Sequence, residues 1–574
     1  MYPYNYKIEY FNLKINDYKP DFTIKHQITD TICYFIGNLK KDFFIIQNEI
    51  FLLNMLFFII VVYSWYLKKK HYNYKKEILY ISKPLLIILF LCYLLTITDV
   101  NYITNDGLFR YCYFFQFFKN RLTFLTFLYI YITSNILHYH NINRYEYYYF
   151  IMFCLIGCFC AMSSYNILVL FTSLEITNLS LYILAGFLYK NKKCLVSAIK
   201  YFFLGVISTG LFVKAIAFFH VGCDSFSYPS LTYYYKLPYA SNTSIEYFTY
   251  KVFLLLGGSV LFIAFLFKLG AAPFHYILVE IYEHTSLPIV MFFSTIKKAI
   301  IYIVFTSLFY ELNLCYGYWW YSFTLFYGVL SVFWGALHAF KEIDFKRFLG
   351  FSSVNHTGFL LLFLIDSSIT AYGASLIYLF TYIPVMFILF SIIVHCTGVK
   401  KVVKNNTSYD KETKKIITTQ VISQSYCSVK TMDDLYLLCQ KNIIGKLIIT
   451  LCIFSLCGIP PLPGFYGKFL LISTLVYQYN FILAFYIIFI SLYSFFYYMR
   501  VIKNLWYSEN FLNVNQKDVS MISIRPFDNK IFIYSILCLY VLIISPTYIY
   551  LNYGQELFYI CELGAIPNSS FEGF

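Results

Sequence analysis

The chain has 574 residues, of which 60% are hydrophobic and only 13% are charged. Water-soluble globular domains average about 25% charged residues, so this composition excludes a soluble globular protein and predicts a chain embedded in a lipid bilayer. The net charge of +15, from 44 basic and 29 acidic residues, does not indicate a nucleic-acid partner, because the basic residues sit in short loops between apolar runs.

The N-terminal residues, MYPYNYKIEYFNLKIND, have neither the basic-then-apolar layout of a secretory signal nor the Arg- and Ser-rich layout of a mitochondrial transit peptide. The chain is also rich in aromatic residues, with 61 Tyr and 63 Phe, which is typical of the AT-rich codons of a small organellar genome. We therefore expect a protein that is synthesised in the compartment where it is inserted.

The 16 cysteines fall mostly inside apolar runs, where a free cysteine behaves as a small hydrophobic residue. The closest group, Cys154, Cys158 and Cys160, lies in one continuous apolar stretch that offers no loop for a zinc or iron–sulfur site. The chain also lacks a Gly-rich dinucleotide fingerprint. We therefore expect no flavin, nicotinamide, iron–sulfur or metal site in this chain.

Long apolar runs follow one another along the sequence. A helix needs roughly 20 mainly apolar residues to cross about 30 Å of hydrocarbon, and the chain contains about 14 such runs. In chain order they cover 43–67, 78–97, 122–138, 147–162, 167–188, 195–220, 252–268, 288–309, 318–340, 348–365, 371–396, 443–458 with a continuation past Gly464, 481–501 and 531–551. The pattern predicts an all-α, polytopic membrane protein.

Lys and Arg in the connecting loops predict the orientation, because they favour the face from which insertion occurs. Basic residues concentrate in the loops after the first, fifth, ninth and eleventh spans, whereas MSSYN, YELNLCYGY, DSSIT and YQYN, which follow even-numbered spans, contain none. The odd-numbered loops are therefore predicted to share the insertion face, and both termini the opposite face.

Glu175 lies in the middle of the fifth predicted span. A charge there costs about 2.5–3.5 kcal/mol on insertion scales, so it needs a partner, water or a function. Thr172, Asn178 and Tyr182 are spaced to share its helical face, and this polar stripe is predicted to face protein rather than lipid.

Lysines mark two predicted helix breaks. Lys268 immediately precedes a break at Gly270 and Pro273, and Lys468 follows a second break in GIPPLPGFYGKF. Broken helices at matching places in two halves of a chain indicate an ion pathway. Lys297 and Lys298 interrupt the eighth span, and as neighbours about 100° apart on a helix they cannot face the same partner.

Simpler interpretations exist for some of these residues. A lysine near a helix end usually extends to the lipid headgroups, and this interpretation suits Lys200 and Lys214 taken alone. For Glu175 with Lys268 a functional role is favoured over a purely structural ion pair. His356, in FSSVNHTGFLL, fits a proton relay and a hydrogen-bonded core residue equally well.

Six blocks resemble, in order, the antiporter-like membrane subunits of respiratory complex I, and specifically the family of mitochondrial NADH dehydrogenase subunit 2, the counterpart of bacterial subunit N. They are LFTSLEITNLSLYILAGF, SAIKYFFLGVISTGLF, FKLGAAPFHYILVEIYE, SLPIVMFFSTIKKA, DFKRFLGFSSVNHTGFLLL and CGIPPLPGFYGKFLL. They cover roughly residues 165–506, with one large gap at 397–442. The lysine of the last block, the FSTIKKA block and the short tail separate this family from subunits 4 and 5.

The resemblance implies that a carboxylate of the fifth span pairs with a lysine of the seventh and that further lysines continue a hydrated axis for protons. These positions fall on Glu175, Lys268, Lys200, Lys298 and Lys468, and His356 is a further candidate. Lys298 is preferred over Lys297 because the family has Pro-Lys where this chain has two lysines. Other departures from the family pattern are Val279, His284, Thr285 and Ser286.

The resemblance also implies two inverted five-helix repeats with discontinuous helices 7 and 12. The expected regions are 1–142 (tail and helices 1–3), 143–310 (first repeat, helices 4–8), 311–510 (second repeat, helices 9–13, with a matrix-side loop at 397–442) and 511–574 (helix 14 and C-terminal tail). The implied location is the mitochondrial inner membrane, with an organellar gene.

The implied function is that of a core membrane-arm subunit of complex I, which couples proton translocation to electron transfer from NADH to ubiquinone. FMN, iron–sulfur clusters and ubiquinone would belong to partner subunits. Implied partners are other membrane-arm subunits, especially antiporter-like subunit 4 and the small subunits that link to the quinone module, together with lipids and without nucleic acid. Two alternatives stay open, an independent cation/proton antiporter and a non-transporting scaffold.

Overall fold

The structure is a computed structural model. It describes residues 47–67, 74–95, 102–103, 107–134, 137, 142, 144, 146–188, 191–223, 226–231, 245–366, 368–396, 399–409, 416–426, 431–432, 434–435 and 443–507. The N-terminal 46 residues, the predicted span 531–551 and the rest of 511–574 lie outside the described residues.

Helices dominate the described residues. They are α1 (Gln47–Leu67), α2 (Tyr74–Leu95), α3 (Tyr113–Ser134), α4 (Glu146–Ser163), α5 (Ile167–Ala185), α6 (Lys192–Cys223), α7 (Ile245–Leu269), α8 (His275–His284), α9 (Leu287–Phe292), a π-helical turn (Phe293–Lys297), α10 (Lys298–Lys341), α11 (Phe345–Phe363), α12 (Ile369–Cys396), α13 (Ile443–Cys457), α14 (Pro463–Tyr477) and α15 (Phe481–Tyr507). Eight described segments are long and apolar enough to cross a membrane. The helical, multi-pass prediction is confirmed.

The third span begins earlier than predicted. α3 starts at Tyr113 rather than at residue 122. Its first turns contain Gln116 and Lys119, which end the apolar run in the sequence but are buried in the structure. A buried partner on α1, described below, neutralises the lysine and allows the helix to continue through it.

The long helix α10 contains two spans that run in opposite directions. The rings of Phe309 and Trp320 lie 4.4 Å apart between centroids, although eleven residues of straight helix would separate them by about 16.5 Å. Lys298 contacts Ser353 before the reversal, whereas Gly335 packs against Asn355 after it. The chain therefore folds back between Phe309 and Trp320, as predicted for the eighth and ninth spans.

Two runs of five spans each contain a broken fourth span. In the first run the break separates α7 from α8, and in the second it separates α13 from α14. Gly270 and Gly458 end the preceding helices with φ of +70° and +82°, a conformation that glycine adopts at little cost. Pro273 and Pro461 follow and cannot supply the N–H that a continuing helix needs. Because five spans are an odd number, the second run begins in the opposite direction to the first.

Loops of equal parity meet in the structure, which confirms their predicted grouping. After even-numbered spans, Phe109 pairs with Ser164 and Asn166 with Ser227. After odd-numbered spans, Lys346 Nζ donates to the carbonyl oxygen of Thr285 at 2.6 Å. The assignment of the odd-numbered face to the insertion side stays a prediction.

The segment 397–442 is more ordered than the expected loop. It contains a hairpin of two strands, Val399–Tyr409 and Ile416–Tyr426, in antiparallel register from Val399 opposite Tyr426 to Tyr409 opposite Ile416. The Val-, Ile- and Thr-rich sequence of both strands explains the hairpin, because β-branched residues favour extended backbone. A shorter antiparallel pair joins Tyr102–Ile103 to Arg110–Tyr111, and both pairs lie in connections between helices of the predicted all-α fold.

Candidate functional site

Lys268 lies at the C-terminal end of α7, next to the first helix break. α7 ends one residue later, at Leu269, so the residue belongs to the last turn of the helix, where a cation is favoured. The residue is 7% exposed, and its Nζ has no hydrogen-bond partner among the described residues. The nearest aromatic group is the ring of Phe212, 5.1 Å from Nζ.

Glu175 is half-buried on α5 and accepts a hydrogen bond from Asn178 Nδ2 at 3.2 Å. Its charge interacts with that of Lys268, but the carboxylate does not hydrogen-bond to the Lys268 ammonium. The pairing of these two residues is thus electrostatic at a distance in this structure, and a proton moving between them needs a water bridge or a side-chain movement.

The polar stripe around Glu175 is only partly directed at protein. Asn178 is buried and Tyr182 is half-buried, but Thr172 is exposed. The prediction that the whole stripe faces protein is therefore wrong at Thr172. Its hydroxyl donates to the Val169 carbonyl of the same helix at 3.0 Å, which satisfies the group without a neighbouring helix.

Lys297 and Lys298 point toward different halves of the molecule, as predicted. Lys297 Nζ donates to the Tyr201 hydroxyl of α6 at 2.7 Å, while Lys298 Nζ donates to the Ser353 carbonyl oxygen of α11 at 2.5 Å. They are 7% and 5% exposed. Lys297 ends the π-helical turn and Lys298 begins α10, in a span that is buried almost throughout.

His356 is buried on α11 between two tyrosines. Its Nδ1 lies 2.6 Å from the Tyr378 hydroxyl and its Nε2 lies 3.1 Å from the Tyr498 hydroxyl. Both ring nitrogens are therefore hydrogen-bonded, which suits a core residue, and the ring interacts electrostatically with Lys298 and Lys468, which suits a relay. Both interpretations stay open.

Lys468 lies along the second break. It is 6% exposed and donates from Nζ to the Cys457 carbonyl oxygen, the last of α13, at 2.7 Å. A Cβ at Gly458 would lie 2.9 Å from its Cδ, so the absence of a side chain there makes room for the lysine.

These residues form a continuous series, which we call the charged axis: Glu175, Lys268, Lys297, Lys298, His356 and Lys468. Each member interacts electrostatically with the next. The axis runs from α5 and α7 through the span Leu287–Tyr310, which we call the central span, to α11 and α14 of the second repeat. The structure thus brings together five of the six candidate residues and adds Lys297.

Lys200 lies apart from the charged axis. Its side chain is 49% exposed and forms an ion pair with Glu280 of α8, with Nζ 2.5 Å from Oε1. Glu280 was not singled out from the sequence, because it lies just beyond the broken helix in the amphipathic run HYILVEIYEH. In this chain Lys200 is an exposed, paired lysine.

A second buried charge pair was also missed. Lys119 of α3 lies 2.5 Å from Oε1 of Glu49 on α1, with side chains 2% and 3% exposed. Ser163 of α4 donates to the same carboxylate oxygen at 3.2 Å. The available signal was a single acidic residue in one apolar helix and basic residues in another, since a buried charge requires a partner.

No group of three or more His, Cys, Asp or Glu residues within the described ranges could hold a metal ion. Cys154 and Cys158 are buried and form no disulfide bond, and Cys160 is half-buried.

Residues 164–494, more than half of the chain, match the family described as NADH:quinone oxidoreductase/Mrp antiporter, TM. NADH-quinone oxidoreductase subunit N of Rickettsia felis is 28% identical over 374 residues, covering 64% of this chain and 72% of the relative. Subunit N of Ruthia magnifica is 25% identical over 477 residues, covering 83% of this chain and 91% of the relative.

Two solved structures have a similar fold. A chain of respiratory complex I from Thermus thermophilus with bound aureothin superposes with a TM-score of 0.65 at 18% identity, covering 88% of this chain and 98% of that one. A chain of the membrane-bound sulfane sulfur reductase, an archaeal respiratory membrane complex, gives 0.71 at 17% identity, covering 91% and 96%. At these identities the likeness is one of fold.

Proposed function

Since the chain belongs to the NADH:quinone oxidoreductase/Mrp antiporter family, we propose that it is a subunit N-type membrane-arm subunit of respiratory complex I. In this role it carries part of the proton pathway that is coupled to electron transfer from NADH to ubiquinone. The subunit N relatives and the paired broken helices support the proposal.

One observation carries it. Lys268, Lys297, Lys298 and Lys468 are all buried in the bundle, and among the described residues none of them contacts a carboxylate. A charge at such depth costs about 2.5–3.5 kcal/mol or more, and a purely structural role would be filled at lower cost by apolar residues. A role in gaining and losing protons explains why lysines occupy these buried positions.

The charged axis provides a mechanism. The Glu175 carboxylate attracts the Lys268 ammonium and favours its charged form. A charge change that arrives from the redox part of the complex weakens this attraction, and Lys268 releases its proton toward the central span. The proton passes by way of Lys298 and His356 toward Lys468. The half-helices at the two breaks allow these side chains to move without unwinding whole spans.

Electron transfer belongs to other subunits in this proposal, so the chain acts as a non-redox part of a proton-translocating oxidoreductase. FMN, iron–sulfur clusters and ubiquinone bind elsewhere in the complex. The cysteine distribution and the lack of a dinucleotide fingerprint in the sequence support this assignment.

Proposed partners are the other membrane-arm subunits, especially antiporter-like subunit 4 and the small subunits that connect to the quinone module, together with lipids. The proposed location is the mitochondrial inner membrane, with the gene in the organelle. The aromatic-rich composition and the N-terminal sequence support this location.

The direct test is to separate intact membrane complexes on a native gel and to identify the peptides in the band that oxidises NADH. We expect this chain in that band. Its recovery only in a smaller, separate assembly that exchanges sodium for protons would replace the proposal with an independent antiporter.

A further inference from the structure

Two neighbouring lysines in the central span, Lys297 and Lys298, contact helices in different halves of the molecule. The family resemblance accounts for one of them, Lys298, and leaves Lys297 unexplained. Given the proposed function, we propose that Lys297 is a second proton-carrying residue, positioned by Tyr201, which exchanges protons with Lys268 on the side of the first repeat. Lys298 then serves the second repeat.

The local backbone directs the two side chains apart. Phe293–Lys297 is a π-helical turn inside an otherwise α-helical span, and single π turns of this kind occur frequently at functional sites. Lys297 ends this turn and Lys298 follows it, and as neighbouring helical residues their side chains leave the helix about 100° apart. One ammonium reaches α6 and the other reaches α11.

The hydrogen-bond partners of the lysines differ in chemistry. Lys298 and Lys468 donate to backbone carbonyl oxygens of Ser353 and Cys457, which accept from an ammonium or an amine N–H but cannot donate to the lone pair of a neutral amine. Lys297 donates to a tyrosine hydroxyl, which can accept from an ammonium or donate to a neutral amine. Its hydrogen bond therefore survives the loss of a proton, which is the property required of a residue that alternates between the two states.

Tyr201 is itself held in place. The ring of Tyr201 packs edge-on against that of Tyr182, with centroids 4.8 Å apart. Lys297 Nζ lies 4.9 Å from the centroid of the Tyr201 ring. The Tyr182 hydroxyl occupies the space where a Cβ at Gly205 would lie. Because Tyr182 stands on the same helix as Glu175, this contact connects the lysine to the acidic end of the charged axis.

Lys297 also reaches a space that can supply protons. A small, partly open cavity with room for about one water molecule is lined by Tyr201, Tyr282, Phe274, Leu278 and Lys297, among others. Its walls come from α6, from α8 beyond the first break and from the central span. Most lining side chains are apolar, so the lysine and the tyrosine hydroxyls are the polar groups at which water would bind.

The proposed step transfers one proton and no electrons. The Lys297 ammonium releases a proton to a bridging water, which passes one of its own protons to the neutral amine of Lys268. One N–H bond breaks at Lys297, one forms at Lys268, and the water is left unchanged. The Tyr201 hydroxyl rotates to donate to the resulting amine. Water in the cavity then returns a proton to Lys297, and the remaining hydroxide is neutralised from the bulk.

The test uses variants in the complete, assembled complex. Lys297→Met removes the charge, whereas Lys297→Arg keeps a charge that cannot be deprotonated. We expect both to lower coupled NADH:quinone turnover by about tenfold or more. Wild-type turnover and proton-to-electron ratio in Lys297→Arg would overturn the proposal, because a role in packing or fixed charge needs no proton release.

Further variants distinguish a failure of the proposed function from a failure of the inference about Lys297. Lys446→Met removes another buried lysine, 8% exposed and 5.7 Å from the ring of Trp506, and is expected to leave turnover unchanged. Normal pumping in Lys268→Met contradicts the proposed function as a whole. Loss of pumping in Lys268→Met with normal pumping in Lys297→Met contradicts this inference alone.

Tyr201→Phe keeps the ring and removes only the hydroxyl, so it tests the step even where Lys297→Met fails to assemble. We expect it to reduce turnover in the wild-type background and to have no further effect in the Lys297→Arg background, because both changes disable the same step. Independent, additive losses, or unchanged turnover in Tyr201→Phe alone, would contradict its positioning role.

Discussion

Breaking the buried pair between Glu49 and Lys119 should destabilise the packing of α1 against α3 and the neighbouring α4. The two side chains are 3% and 2% exposed, and Nζ and Oε1 lie 2.5 Å apart. Glu49→Gln leaves the Lys119 ammonium buried without its carboxylate, which costs about 3–5 kcal/mol. This corresponds to a factor of about 150 to 5,000 in the folding equilibrium.

The assay is denaturation of the detergent-solubilised complex, followed by the release or proteolysis of this chain. A double variant, Glu49→Leu with Lys119→Met, removes both charges and should recover most of the loss, because apolar pairs replace buried ion pairs well. Lys200→Met is the matched control, since its ion pair with Glu280 is exposed and contributes only about 0–1 kcal/mol. Wild-type stability in Glu49→Gln, or a double variant as unstable as the single one, would refute this reasoning.

Two other substitutions have defined outcomes. Gly458→Ala should destabilise the chain by about 1–2 kcal/mol and displace Lys468, because Gly458 has φ +82° and the new Cβ would approach the lysine; Gly210→Ala, with nothing within 4 Å, should be neutral or stabilising in the same denaturation assay. His356→Gln can still hydrogen-bond to both tyrosines but cannot carry a proton, so reduced proton pumping in the assembled complex would identify a relay, and unchanged pumping a core residue.

The positions of the spans and of both helix breaks could be predicted from the sequence because they depend on local properties. Long apolar runs predict membrane-length helices, and Gly270 and Gly458, each followed within three residues by a proline, favour a helix end. The divergence of Lys297 and Lys298 also follows from helical geometry alone.

The contacts that complete the site depend on distant parts of the chain and could not be predicted in this way. The partners Lys297 and Tyr201 are separated by 96 residues, and Glu49 and Lys119 by 70. The exposure of Lys200 is set by how α6 packs against α8. In each case the charge was visible in the sequence, but its surroundings were fixed by helix packing.

The most direct test of the account is the proton-to-electron ratio of the assembled complex that carries Glu175→Gln. The substitution keeps the size of the side chain and its capacity to accept from Asn178, while it removes the charge that acts on Lys268. We expect normal assembly with proton pumping abolished. A normal proton-to-electron ratio in the assembled variant would contradict the proposed role of the charged axis.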